Sequence, residues 1–229
     1  MHVSQVVSLR ACKKSAALRE HPGKRFIETK QMGKPHTMLS TRVATEPCGR
    51  MFSDVTGNPS DGFFVTLLCE HTTWAASRAL VHKSATEVLA FISDTVAMLE
   101  RQTGFKLKRL RTDGGAAYDN ALMRAWCASS GVIHEQTSRD SPQQDGPGER
   151  LNRTVWDRVR PVMKDSGLPI VPYLAHAFQY ATHIRNLTPS KGRDVTPHYA
   201  MFGTNVDASR LKVFEIGRAS CRERVLLMV

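Results

Sequence analysis

Residues 109–154 read RLRTDGGAAYDNALMRAWCASSGVIHEQTSRDSPQQDGPGERLNRT, and this stretch decides the architecture. Leu107 to Thr112 reads as a short buried strand, and it delivers Asp113 to the Gly114-Gly115 turn. Asp119 to Ser130 carries Leu122, Met123, Trp126 and Cys127 at helical spacing and stops at Gly131, which predicts a helix with those four residues inward. Val132 to Gln136 is a second short strand. A Gly/Pro/Ser-rich loop from Ser138 to Gly148 follows, and then a helix from Glu149 to Asp165. The pattern is strand, helix, strand, helix. It places one carboxylate at a strand end and another at a helix start.

Working upstream, Arg50 to Val55 predicts a strand that brings Asp54 close to the Gly57-Asn58-Pro59 turn. Gly62 to Leu68 and Trp74 to Val81 predict two more strands. Ala85 to Thr103 has Val88, Leu89, Ile92, Val96 and Leu99 on one helical stripe, ended by Gly104. Downstream, Pro172 to Leu187 predicts a further helix, with proline near its first turn. Three strands, helix, strand, helix, strand and then helices make an α/β protein: a mixed five-stranded sheet flanked by helices, in a ribonuclease-H-like order. Spacing alone does not select among α/β folds.

The carboxylates carry the chemistry. Phosphoryl transfer on two divalent ions about 4 Å apart needs hard oxygen ligands presented from rigid elements. Asp54, Asp113 and Glu149 meet that description, with 58 residues between the first two and 35 between the last two. Each alone is also an ordinary residue: a turn aspartate at 54 or 113, or a first-turn glutamate favoured by the helix dipole at 149. Their joint spacing and the words around them go further.

Phe52-Ser53-Asp54-Val55-Thr56-Gly57, Leu110-Arg111-Thr112-Asp113, Ser141-Pro142-Gln143-Gln144-Asp145-Gly146 and Glu149-Arg150-Leu151-Asn152-Arg153-Thr154 resemble the blocks around the three catalytic carboxylates of Ty1/copia-type retrotransposon integrases. Ser166-Gly167-Leu168-Pro169, Asn186-Leu187-Thr188-Pro189-Ser190, Thr196-Pro197-His198-Tyr199 and Leu211-Lys212-Val213-Phe214 follow in that family's order, so the likeness spans roughly residues 48–214. The resemblance implies a fragment of a Pol polyprotein that joins element DNA to target DNA. It implies two Mg²⁺ or Mn²⁺ ions on Asp54, Asp113 and Glu149, and DNA contacts by Gln143, Gln144, Arg150, Asn152 and Arg153. It further implies a homo-oligomer acting on element ends and target DNA, in the nucleus or in a cytoplasmic particle before import.

The chain departs from the family in places. Gly114-Gly115-Ala116-Ala117-Tyr118 stands where Asn-Gly-Gly-Glu-Tyr is usual, Asp145 where Asn is usual, and Pro147-Gly148 in place of Val-Ala. Ile27 and Lys30 occupy the places of the cysteines in the family's upstream zinc module, so the resemblance does not extend to zinc binding. Two other readings compete. One is a different nuclease of the same fold, with Glu87 or Asp94 completing the site from the first long helix. The other is an inactive DNA-binding remnant.

The flanks differ from this centre. Residues 1–47 predict a basic arm, and the net charge of +11 is concentrated outside the middle: +7 over residues 1–50, +2 over 51–215 and +2 over the last fourteen. Ile216 to Val225, IGRASCRERV, back-translates to ATCGGAAGAGCGTCGTGTAGGGAAAGAGTG, a sequencing-adapter sequence, so 215–229 is expected to be an artefactual tail. Five cysteines at no metal-like spacing argue for reduced thiols. No run reaches the ~20 apolar residues of a membrane helix, and no signal peptide opens the chain, which predicts an intracellular protein without a membrane partner. His134 and His183 are read as structural, and Trp74, Trp126 and Trp156 as core.

Overall fold

A computed structural model describes residues 44–137, 146–189, 192–207, 211 and 214. Residues 1–43 of the basic arm, the loop of residues 138–145 and the adapter-like tail after 214 lie outside the described residues.

Five strands form one sheet: β1 (Met51–Asn58), β2 (Gly62–Cys69), β3 (Ala75–Leu80), β4 (Arg109–Thr112) and β5 (Ile133–Gln136), in the spatial order β3-β2-β1-β4-β5. β1 pairs antiparallel with β2 and parallel with β4, β2 with β3 is antiparallel, and β4 with β5 is parallel. This is the mixed five-stranded sheet of a ribonuclease-H-like fold. Parallel neighbours need crossover connections, and two helices supply them: α1 (Ala85–Thr103) and α2 (Ala121–Ser130). α3 (Gly146–Ser166), α4 (Ile170–Asn186) and a short α5 (Pro197–Phe202) complete the chain.

Strand alternation divides the core in two. Met51, Val65, Leu67, Cys69 and Leu110 face α1 and α2 through Val88, Ile92, Leu99, Met123 and Cys127. Phe52, Phe64 and Leu68 face the other way, against Leu151, Val155 and Val159 of α3 and Leu174, Ala177 and Phe178 of α4. Phe64 stacks on Phe178 at 4.4 Å between centroids and meets Trp156 edge-on at 5.5 Å. Fully burying one such side chain contributes about 2–3 kcal/mol, so these rings pin the α3–α4 hairpin to the sheet. At the parallel end, buried Arg50 ties to Glu70, and Glu135 accepts from Arg109 and Arg111 at 2.7 and 2.8 Å. Burial pushes the Cys48 thiol up to about 12, consistent with an inert core cysteine.

Several boundaries moved. β1 continues to Asn58, because the turn is made by the Asn58 side chain, whose Oδ1 accepts from the backbone of Ser60 and Asp61. Asp54 therefore sits in mid-strand, not beside a turn. α2 starts at Ala121, since Asn120 is its N-cap and accepts from Met123 N at 2.9 Å. Leu122 is 49% exposed, so the inward stripe reduces to Met123 and Cys127, with Trp126 partly covered. α3 begins at Gly146 rather than Glu149, since proline at 147 is tolerated in a first turn, where its missing N–H is not needed. α4 opens at Ile170 but is broken at Val171, which is extended because the residue before a proline is driven out of the helical region. α5, capped by Thr196 and Gly203, was not anticipated. Among the described residues no helix is long and apolar enough to cross a membrane.

Candidate active site

The parallel pairing of β1 with β4 aligns Phe52 with Arg111 and Ser53 with Thr112. Phe52 belongs to the core on the α3 side, and the Arg111 guanidinium lies 5.9 Å from its ring, so this register line faces α3. Two residues further along each chain come Asp54 and Asp113. Asp54 lies within β1 and Asp113 directly follows β4, so the register sets the two aspartates next to one another along neighbouring strands, which run about 4.8 Å apart.

Each carboxylate is held. Asn152 of α3 donates its amide N–H to Asp54 Oδ2 at 2.7 Å, while its Oδ1 accepts from Thr66 Oγ1 of β2 at 3.0 Å. Asn152 is 6% exposed, so a helix and two strands meet on one buried amide. Asp113 Oδ1 accepts from Gly115 N at 3.1 Å, closing an Asx turn. A Cβ at Gly115 would stand 3.1 Å from that same oxygen, so a side chain here would press on the Asp113 carboxylate. Gly114 has no such requirement, its nearest neighbour being Thr137 O at 3.8 Å.

Glu149 lies one turn before Asn152, on the helix that reaches Asp54, and is exposed. Among the described residues no three His, Cys, Asp or Glu side chains are gathered as a metal-holding set. The donor chemistry of Asp54, Asp113 and Glu149 is uniform: carboxylate oxygens. It fits Mg²⁺ or Mn²⁺ rather than zinc.

The expected DNA contacts fare differently. Arg150 and Arg153 are exposed on α3, and the Arg150 guanidinium lies 3.0 Å from where a Cβ on Gly146 would stand. Gln143 and Gln144 lie outside the described residues. Asn152, also expected at the DNA, is buried here, with its amide engaged by Asp54 and Thr66. Its place at i+3 from Glu149 was the available signal, but polarity alone does not say whether a residue faces solvent or a strand.

The rival completion from the first long helix loses its ligands. Glu87 accepts from Val81 N at 2.8 Å and His82 N at 3.1 Å, while its own backbone N–H donates to the N-cap Ser84 Oγ. Asp94 pairs with Arg78 at 3.1 Å, and α1 packs on the sheet face opposite Asp54.

Comparison with known proteins agrees with this geometry. No protein-family model matches the chain. The tobacco (Nicotiana tabacum) "Retrovirus-related Pol polyprotein from transposon TNT 1-94" is 34% identical over 176 residues, 75% of this chain. The Saccharomyces cerevisiae "Transposon Ty1-DR6 Gag-Pol polyprotein" is 22% identical over 73% of it. The chain spans only 13% and 10% of the lengths of those polyproteins. Among solved structures, the HTLV-2 integrase catalytic core domain in complex with magnesium superposes with a TM-score of 0.54 at 17% identity, covering 69% of this chain and 99% of that one. A chain of the simian T-cell lymphotropic virus intasome in complex with PP2A regulatory subunit B56 gamma gives 0.60 at 16% identity, over 72% of this chain and 58% of that one.

Proposed function

Since the chain is a homologue of copia-type Pol polyproteins and carries the integrase catalytic-core fold, we propose that it is the core of a retrotransposon integrase, a polynucleotidyl transferase that joins element DNA to target DNA. The observation that carries this reading is the β1–β4 register that makes Asp54 and Asp113 neighbours along adjacent strands, with α3 fastened to Asp54 by Asn152 one turn from Glu149.

The reaction breaks one phosphodiester and makes another. A 3′-hydroxyl of element DNA attacks a target phosphorus in line; the new P–O bond forms as the bond to the target 3′-oxygen breaks, and the attacking hydroxyl's proton passes to solvent. Asp54, Asp113 and Glu149 would hold the divalent ions. Bound there, Mg²⁺ or Mn²⁺ would supply activation of the attacking oxygen and neutralisation of charge on the leaving one. Asn152 orients Asp54, and the Gly115 amide orients Asp113. Arg150 and Arg153 neutralise DNA phosphates beside the site, a sequence-independent, salt-sensitive contribution, and Gln143 and Gln144 are proposed to meet the element end. No protein nucleophile is required.

In this reading the chain acts as a homo-oligomer on two DNA ends. The HTLV-2 core described as a dimer, and in a second form as a trimer, supports that proposal. Nuclear action follows from the same reading, with a cytoplasmic particle before import. An inactive DNA-binding remnant is the second reading, favoured by one observation: among the described residues no three candidate ligands are gathered as a metal-holding set.

Strand transfer by the full 229-residue chain, with labelled duplex ends, a plasmid target and either cation, separates the two. Cation-dependent joining that is lost in Asp113→Asn and Glu149→Gln supports the integrase. A folded, DNA-binding chain that joins nothing under either cation is the remnant.

A further inference from the structure

The reverse face of the sheet carries a pair of buried hydroxyls directly behind the two aspartates. Ser53 and Thr112 immediately precede Asp54 and Asp113, and they are register partners across β1 and β4. Both are fully buried. Thr112 Oγ1 donates to the Asp113 carbonyl at 3.0 Å and lies 2.9 Å from His134 Nε2. A hydroxyl has one proton. With it on the Asp113 carbonyl, the imidazole must be the donor, through Nε2–H.

The same logic holds next door. Ser53 Oγ donates to Thr66 O at 2.9 Å, so Tyr118 OH, 2.9 Å away, donates to Ser53. The Thr112 carbonyl is fixed as well, accepting from Thr137 N at 3.0 Å and Thr137 Oγ1 at 3.1 Å. The peptide groups on both sides of the Asp113 Cα are therefore anchored from behind, one of them through His134. Its register partner on β4 is Leu110, which places it on the face opposite the carboxylates, where it touches neither metal ligand nor DNA.

We propose that His134 is a positioning residue for cation binding: its Nε2–H, acting through Thr112 Oγ1, fixes the Asp113 peptide and with it the placement of the Asp113 carboxylate relative to Asp54. This rests on the integrase reading, since it assumes that the two aspartates share a divalent ion. Partners that orient metal ligands typically change metal affinity 10–100-fold when removed. His134 acts one bond further back, so the lower end, about tenfold, is the expectation.

The test is Mn²⁺ titration of the full chain followed by electron paramagnetic resonance, with melting temperature recorded for each variant. His134→Leu and the near-isosteric Thr112→Val should each weaken Mn²⁺ binding about tenfold. His134→Gln and Thr112→Ser, which retain a donor and a hydroxyl, should restore it. The double variant should be no worse than either single one, because both act on one connection. If His134→Leu fails to fold, Thr112→Val with its Thr112→Ser rescue tests the same link. Mn²⁺ affinity unchanged in folded His134→Leu or Thr112→Val, while Asp113→Asn abolishes binding, would overturn the positioning role and leave the integrase reading standing. Absence of Mn²⁺ binding in the unsubstituted chain would overturn both.

Discussion

Replacing Asn152 by aspartate keeps the shape of the side chain and inverts the chemistry of one atom. The Nδ2 that donates to Asp54 Oδ2 at 2.7 Å becomes an oxygen, and two carboxylates face each other in a buried contact. At that separation and an effective dielectric of 20 the repulsion would be about 6 kcal/mol, more than the pair needs to bear. It escapes by taking up a proton. Protonating a carboxyl of ordinary pKa ~3.9 at pH 7 costs about 1.4 kcal/mol per unit over about three units, which caps the electrostatic penalty near 4 kcal/mol.

The sign is fixed by linkage. The shared proton raises a folded-state pKa above its unfolded value, so the native state binds more protons and the variant regains stability as pH falls, by up to ~1.4 kcal/mol per unit. Asn152→Ala provides the contrast. It removes the charge-assisted bond, worth about 1.5–3 kcal/mol, and strands nothing on Thr66, whose hydroxyl also reaches the Asp54 carbonyl at 3.2 Å. Its loss of about 2 kcal/mol should be nearly independent of pH. Urea unfolding of the three proteins at pH 7.5 and pH 5 reads both effects. Equal stability of Asn152→Asp and the parent at pH 7.5, or a pH dependence no different from the alanine variant, would refute the reasoning.

The two glycines after Asp113 should behave oppositely. Gly115→Ala drives a methyl toward the Asp113 carboxylate and should lower strand transfer at least tenfold, whereas Gly114→Asn, with open space at Cβ, should fold and act like the parent; equal losses in strand-transfer assays of the two would contradict the Asx-turn account. Glu135 anchors Arg109 and Arg111 near buried Arg50. Burial tends to raise its pKa, but the hydrogen bonds and charges of these arginines outweigh that and hold it below the ordinary value. Its contribution is thus present above the unfolded pKa of ~4.3 and lost as pH falls through the folded one; Glu135→Gln should cost about 2 kcal/mol at neutral pH and shrink the acid-induced loss, as urea titrations from pH 6 to pH 3 would report.

Much of this fold was legible because its signals are local. The 85–103 helix was read to the residue, since Ser84 and Gly104 cap it and the apolar stripe between them is unbroken. The strand bearing Asp113 was read from a short apolar run before two glycines. The misplaced boundaries fall where a side chain substitutes for backbone, as Asn58 does in its turn and Asn120 at its cap, or where a proline sits in a first turn. The three carboxylates were visible in the words around them, but the means of holding them was not. Asn152 meets Asp54 across 98 positions, and His134 reaches Thr112 across 22. Nothing in the order of residues says which polar side chain of a helix turns inward. The register between β1 and β4, which aligns the aspartates, is likewise a property of the packed sheet.

The most direct measurement is anomalous diffraction from crystals of the chain grown with Mn²⁺. The account predicts manganese density in contact with both Asp54 and Asp113, with the first turn of α3 drawn in so that Glu149 joins them. Crystals saturated with Mn²⁺ that show none between the two aspartates, or a peak held by other residues, would contradict it.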